Sequence, residues 1–272
     1  MQKLFHTLTR LIFPPLLYTT IQFIVIRLVY RGYAFYLGGD EQALRQAFLL
    51  ISAHTVALMI AAALLTIPIL LWFFSRDVQK RPSAPAPAKG LGITLLWTAI
   101  FGLGLCLSVN TLMALTPLAQ YTSGFDAVSD TLYGAAWWQQ LLGLALIIPL
   151  CEELVFRALM FRGLRDELPF WAAALLSSLA FAIYHGNLYQ GIYAFFLGFC
   201  MAWAYERCRV FLAPVILHAS ANLFSVLLSN PNINSWLASH TALFGLTVMV
   251  LFVLTVFSLV MIKRRTAPSK AH

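Results

Sequence analysis

The sequence predicts an all-α polytopic membrane protein with about eight transmembrane helices and both termini in the cytoplasm. Three observations carry that expectation. Hydrophobic residues are 61% of the 272 and charged residues 10%, against about 25% charged in an ordinary soluble domain. Mean hydropathy is +0.81. The apolar residues come in runs close to the roughly 20 that a helix needs to cross a bilayer, and the alternation of a β-barrel is absent. The 18 Lys and Arg and 10 Asp and Glu cannot cover so much apolar surface, and the same composition excludes disorder.

In chain order, the first run, 11–30, reaches spanning length and lacks a small-residue cleavage site, so it is expected to stay as a helix rather than be removed. The second, 46–74, is longer than needed and contains Pro68, which predicts a kink, a tilt or a shorter true span. The Pro/Ala stretch 81–89 reads as an extended linker between an N-terminal pair of helices (1–90) and a membrane-embedded core (91–272). In the core, 91–115 is the third span. A loop over 116–136 carries Asp126 and Asp130 and no Lys or Arg. Trp137 and Trp138 then stand as interfacial anchors before the fourth span, 139–161. The remaining spans are 169–185, 188–206, 211–229 and 241–262. There is no internal repeat and no pair of broken helices of the inverted-repeat transporter kind. Cys106, Cys151, Cys200 and Cys208 lie in or beside apolar runs without CxxC spacing, as small buried residues do.

The net charge of +8 does not point to nucleic acid. With the N-terminus inside, fourteen Lys and Arg fall in inner segments, only Arg31 and Arg45 fall outside, and Arg27 and Arg157 lie within spans. That asymmetry sets the expected orientation. Membrane lipid is the expected surrounding.

Ionisable groups inside spans need a reason to be there. They are Arg27, His54, Glu152, Glu153, Arg157, His185 and His218. Arg27, near the outer end of its span, is expected to snorkel, and His54 to pack or line a pore. Glu153 and Arg157 are four apart, acid first, which stacks them as a favourable pair. Glu152 points about 100° away, so it is left to face a cavity. His218 and Asn222 share a helix face at i and i+4. Taken singly, each has a structural explanation: an ion pair, a satisfied helix-end His, interhelical glue. Together, two His, one free Glu and one Asn on three successive long helices could form a water-activating site, a metal site or a proton relay.

Glu152-Glu153-Leu-Val-Phe-Arg157, Phe181-Ala-Ile-Tyr-His185 and His218-Ala-Ser-Ala-Asn222 resemble the EExxxR, FxxxH and HxxxN motifs of the CPBP family. These are the Abi or type II CAAX prenyl protease-like intramembrane proteases, and bacteriocin processing and immunity are linked to some of them. Phe196-Leu-Gly198 and the Leu212–His218 stretch also fit the connecting pattern. The resemblance covers about 138–230. It implies an endopeptidase in the cell membrane of a bacterium, acting on a hydrophobic or lipidated peptide or protein. Residue by residue, it implies that Glu152 with His185 polarises the attacking water and His218 with Asn222 stabilises the oxyanion. Glu153 and Arg157 would then orient the helix.

The cofactor question stays open at this level. Glu152, His185 and His218 could hold a divalent metal such as zinc, with water in fourth place. The alternative is a metal-free site, and no HExxH is present. Other readings are a catalytically silent scaffold or immunity protein of the same fold, and a proton-coupled transporter using the same groups as a relay. Lateral entry of the substrate from lipid is expected, into a cavity opening toward the cytoplasmic half of the bilayer. One tension concerns depth. By helical rise, His185 would sit well beyond Glu152 unless 163–174 runs along the inner surface before crossing, and that detour is the expectation.

Overall fold

The computed structural model describes residues 2–81, 90–117 and 123–266, and the Pro/Ala linker expected at 81–89 lies almost wholly outside them. Among the described residues all regular structure is helical: α1 (Gln2–Tyr36), α2 (Glu41–Ala53), α3 (Thr55–Gln79), α4 (Leu91–Ala114), α5 (Ser123–Tyr133), α6 (137–165), α7 (Phe170–Tyr184), α8 (Leu188–Cys208), α9 (Leu212–Ser229), α10 (Pro231–Ser239) and α11 (Thr241–Arg265). Five of them, α1, α3, α4, α9 and α11, are each long and apolar enough to cross a membrane. The other three expected spans correspond to α6, α7 and α8, although α7 is only 15 residues long.

The solvent logic of a soluble protein is inverted. Leu28 and Phe35 on α1, Leu65 on α3 and Met249 and Val253 on α11 are exposed, whereas Glu152, Glu153, Arg157 and His218 are buried. Apolar surface turned outward with charge turned inward suits a lipid surrounding. This is an integral membrane protein.

The helices revise or sharpen several expectations. The run 46–74 is two helices, broken at His54, whose φ and ψ of −117° and 22° leave the helical region. Pro68 lies inside an uninterrupted α3. His54 is exposed, while its neighbour Thr55 lines the central cavity. The loop 116–136 contains the helix α5. The stretch 163–174 makes no detour: Arg165 ends α6 and Phe170 begins an unbroken α7. Arg27 is exposed and lies over the Phe23 ring at 5.0 Å.

Within α6 the helical register changes twice. Residues Gln140–Ile147 and Leu154–Phe161 are π-helical, and the α-helical segment Ile148–Glu153 lies between them. The N–H of Ile148 accordingly bonds the carbonyl of Gly143, and that of Arg162 the carbonyl of Arg157. This pattern would assign the carbonyl of Leu144 to residue 149. That residue is a proline with no N–H to give.

The Lys and Arg gather at one end. Arg10 of α1 bonds Asp77 of α3 at 2.7 Å, and Arg81 bonds both Asp77 and Asp166. Arg165 of α6 bonds Glu206 of α8, Arg207 donates to the carbonyl of Lys263 on α11, and Arg265 reaches Thr94 of α4. Burial pushes the Arg81 guanidinium below its ordinary value, and Asp77 and Asp166 oppose the shift. Hydrogen bonding to Glu206 moves Arg165 the other way. The start of α1 and the end of α11 both lie at this basic end.

Candidate active site

The central cavity, of about 770 Å³, is walled by α1, α3, α5, α6, α7, α8 and α9, with Asn110 from α4. Glu152, His185, His218 and Asn222 all line it. The spacing of three motifs thus becomes one site, and each residue arrives by a distinct local device.

Glu152 and Glu153 sit at the end of the short α-helical segment of α6, just before the second π-helical stretch. π-helical turns recur at functional sites because they re-aim side chains. Glu153 is fully buried, and its Oε1 accepts from Arg157 Nη1 at 3.1 Å. The same oxygen accepts from His218 Nδ1 at 2.8 Å. Arg157, also fully buried, lies over the Phe181 ring at 4.3 Å, a cation–π contact shielded from the surface. Room for its guanidinium exists because residue 198 is glycine: a Cβ there would stand 2.8 Å from Nη2.

Glu152 turns the other way, to the cavity, with His218 Nε2 3.7 Å from its Oε2. The imidazole nitrogen beside this carboxylate is thus that of His218. With Nδ1–H given to the Glu153 carboxylate, the opposite nitrogen of His218 is aimed at Glu152. A carboxylate on Nδ1 fixes the orientation of the ring, the same logic as an Asp–His pair in a serine hydrolase.

His185 closes α7. Gly186, at φ +73°, takes the left-handed turn that ends the helix, and Asn187 caps α8 by accepting from the N–H of Gln190. His185 Nδ1 lies 2.7 Å from the Phe181 carbonyl. A carbonyl only accepts, so Nδ1 carries the hydrogen and the neutral ring keeps Nε2 as an acceptor. The ring of Phe181 stands between the two imidazoles, with centroids 4.6 Å from His185 and 5.7 Å from His218. The end of α7 is brought to α6 by Phe156, which packs on both Phe181 and Tyr184. Aromatic packing, not a surface detour, brings the second motif to the site.

Asn222 Nδ2 donates to the carbonyl of Leu144 at 2.9 Å. That carbonyl is the one Pro149 leaves without a partner, so an amide from α9 repairs a gap in α6. The second hydrogen of the same Nδ2 remains for another acceptor.

A metal does not fit these donors as placed. Among the described residues no three His, Cys, Asp or Glu side chains converge as ligands.

Comparison with known proteins gives a family and two relatives. The family described as Type II CAAX prenyl endopeptidase Rce1-like matches residues 134–224, a stretch holding all three motifs. The Bacillus subtilis (strain 168) protein named "Putative membrane peptidase YdiL" is 25% identical over 210 residues, 73% of this chain and 82% of its own. UPF0177 protein YxdF of Lactococcus lactis subsp. lactis (strain IL1403) is 30% identical over 131 residues, 48% of this chain and 72% of its own. The chain belongs to the CPBP family. No solved structure gives a significant match.

Membership in this family implies a protease of the CAAX type. In this CPBP member the site also draws on residues that no motif spacing indicated. Tyr184 OH donates to Gln22 Oε1 of α1 at 3.2 Å and its ring stacks on Tyr18 at 5.7 Å. Tyr133 of α5 and Ser225 of α9 are hydrogen-bonded at 2.8 Å above the cavity. Gln22 had one legible signal, an amide in the middle of an apolar run. Tyr133 and Ser225 had none. The four cysteines are free thiols, three buried and Cys200 half-buried.

Proposed function

We propose that this chain is an intramembrane endopeptidase in which Glu152 activates water without a metal. The observation that carries this reading is a buried carboxylate turned to a cavity, next to an imidazole whose other nitrogen is held by a second carboxylate. A structural ion pair accounts for Glu153 and Arg157 and leaves Glu152 unexplained.

In this mechanism Glu152 accepts a proton from water as the water oxygen attacks the scissile carbonyl carbon. His185 Nε2, an acceptor by its tautomer, takes the water's second hydrogen bond and orients it. His218, as an imidazolium flanked by Glu153 and Glu152, donates Nε2–H to the developing oxyanion, and Asn222 donates its free amide hydrogen. The tetrahedral intermediate collapses as the C–N bond breaks, and the proton held by Glu152 passes to the leaving amine. Peptide and water become carboxylic acid and amine. Glu153 and Arg157 act through His218 as positioning residues.

The substrate in this reading is a hydrophobic or lipidated membrane-associated peptide, entering from lipid. The apolar outer surface and the largely apolar cavity walls support it. The site of action is the bacterial cell membrane, with the basic end and both termini cytoplasmic.

The test uses purified protein in detergent, wild type beside Glu152→Gln and Glu152→Ala, on a pool of fluorogenic lipidated and apolar peptides. Cleavage by the wild type that falls by at least about 10²-fold in both variants, with unchanged thermal unfolding, is expected for a general base. Equal cleavage in Glu152→Gln would sink the assignment. Cleavage lost on chelation and restored by zinc would replace the metal-free mechanism.

A further inference from the structure

The cavity and the basic end face opposite ways. On each wall, the lining residue nearest the basic end is Thr19 on α1, Ala62 on α3, Glu152 on α6, Phe181 on α7, Leu197 on α8 and His218 on α9. Every other lining residue of these helices lies farther from it along its helix. Between this floor and the basic end the interior is solid: Phe156, Arg157, Met160, Leu164 and Met201 are fully buried. With the basic end cytoplasmic, as the charge asymmetry predicts, this geometry runs against the expectation of a cavity opening toward the cytoplasmic half.

On the far side the cavity continues. A second cavity of about 580 Å³ shares Asn110, Tyr133 and Ser225 with the first and adds Ser129, Asp130 and Asn234. The hydrogen bond between Tyr133 and Ser225 therefore stands between the two spaces. The exposed lining residues of the first cavity are Ile26 of α1 and Ala127 and Thr131 of α5, toward the end away from the arginines, and Thr19 of α1 at floor level, so along α1 the cavity also opens sideways.

Lys and Arg close to the ends of spans set orientation, and Asp and Glu count for little. The basic end carries Arg10, Arg81, Arg165, Arg207 and Arg265 bound into the contacts above. The opposite end carries only Arg31 and Arg45. We infer that the active-site cavity opens on the non-cytoplasmic side of the membrane and that its substrate is a membrane-associated peptide segment presented on that side. The cytosolic C-terminus of a prenylated protein would meet the packed floor instead. The substrate half of this inference rests on the endopeptidase reading; the direction of opening does not.

The test uses the full chain in a bacterial membrane, with single-cysteine reporters at exposed positions: Asp126→Cys on α5 and Gln79→Cys at the basic end. The native cysteines are buried or half-buried. A membrane-impermeant maleimide applied to spheroplasts is expected to label Asp126→Cys, and to label Gln79→Cys only after lysis. The reverse pattern overturns the inference whatever the protein's activity. In the second arm, a fluorogenic apolar peptide with a charged tail that keeps it from crossing is added outside sealed vesicles. Glu152-dependent cleavage is expected with right-side-out vesicles. Cleavage confined to everted vesicles overturns the substrate side while leaving the endopeptidase intact. Absence of cleavage in vesicles and in detergent alike overturns the endopeptidase, and with it the substrate, while the labelling still decides which way the cavity opens.

Discussion

Glu153 and His218, 65 residues apart, share a hydrogen bond of 2.8 Å from Nδ1 to Oε1 in the buried floor of the cavity. One carboxylate oxygen thereby serves two cations or potential cations, the Arg157 guanidinium and the His218 ring. Glu153 acts on chemistry only through His218 in the proposed mechanism. Glu153→Gln is expected to lower kcat by about 10²–10⁴-fold, in the range of lost base or orienting groups. In a His218→Ala background the same change should cost almost nothing more. A double-mutant cycle of kcat checks this, and additive losses would separate the two residues.

Asn222 should be worth stability as well as activity, because it satisfies the carbonyl of Leu144 that Pro149 cannot. Asn222→Ala is expected to destabilise the protein by about 1–3 kcal/mol, the cost of a buried group left unpaired. In a Pro149→Ala background, residue 149 regains its N–H and the loss should shrink. Thermal unfolding in detergent for the four proteins of this cycle measures it. An undiminished loss would show that Asn222 is not covering for the proline.

Gly198 is needed for closeness, not for backbone freedom. An added Cβ would lie 2.8 Å from Arg157 Nη2 and 3.3 Å from Phe181 Cδ1. Gly198→Ala is expected to cost about 1–3 kcal/mol as an overpacking change, and to lower activity by moving Arg157 and hence Glu153. Unfolding and cleavage assays on one preparation check both effects.

Asp77 holds two cations at the basic end, Arg10 and Arg81. Asp77→Ala removes the counter-charge of Arg10 and one of the two partners of Arg81. Its side chain is 8% exposed, so a loss of about 1–3 kcal/mol is expected for hydrogen bonds to a charged group. The exposed Arg45–Glu41 pair serves as the control: Glu41→Ala should change the unfolding temperature scarcely at all.

Much of the candidate site was legible because its residues are expensive where they stand. Glu152, Glu153, Arg157, His185, His218 and Asn222 are polar groups in apolar runs, and the i, i+4 spacing paired Glu153 with Arg157 correctly. What spacing could not supply was the far partner of each: Glu153 to His218, Glu152 to the other nitrogen of His218, Asn222 to Leu144. The depth estimate failed for the same reason. It assumed parallel helices of equal pitch, whereas α6 is π-helical in two stretches and Phe156 draws the end of α7 inward. The break at His54 was missed because hydropathy averages over 46–74 and does not register a single residue leaving helical φ and ψ.

By itself the sequence determined that this is a helical membrane protein of the CPBP family with its charge asymmetry at one end. Those properties follow from composition, run length and motif order, all of which are one-dimensional. The tertiary structure alone decided that seven helices enclose the cavity, that α1 and α5 contribute to it, and that it extends away from the arginines. These depend on how each helix is rotated, tilted and shifted against its neighbours, and a side chain's partner across a helix interface is set by that geometry rather than by its distance along the chain.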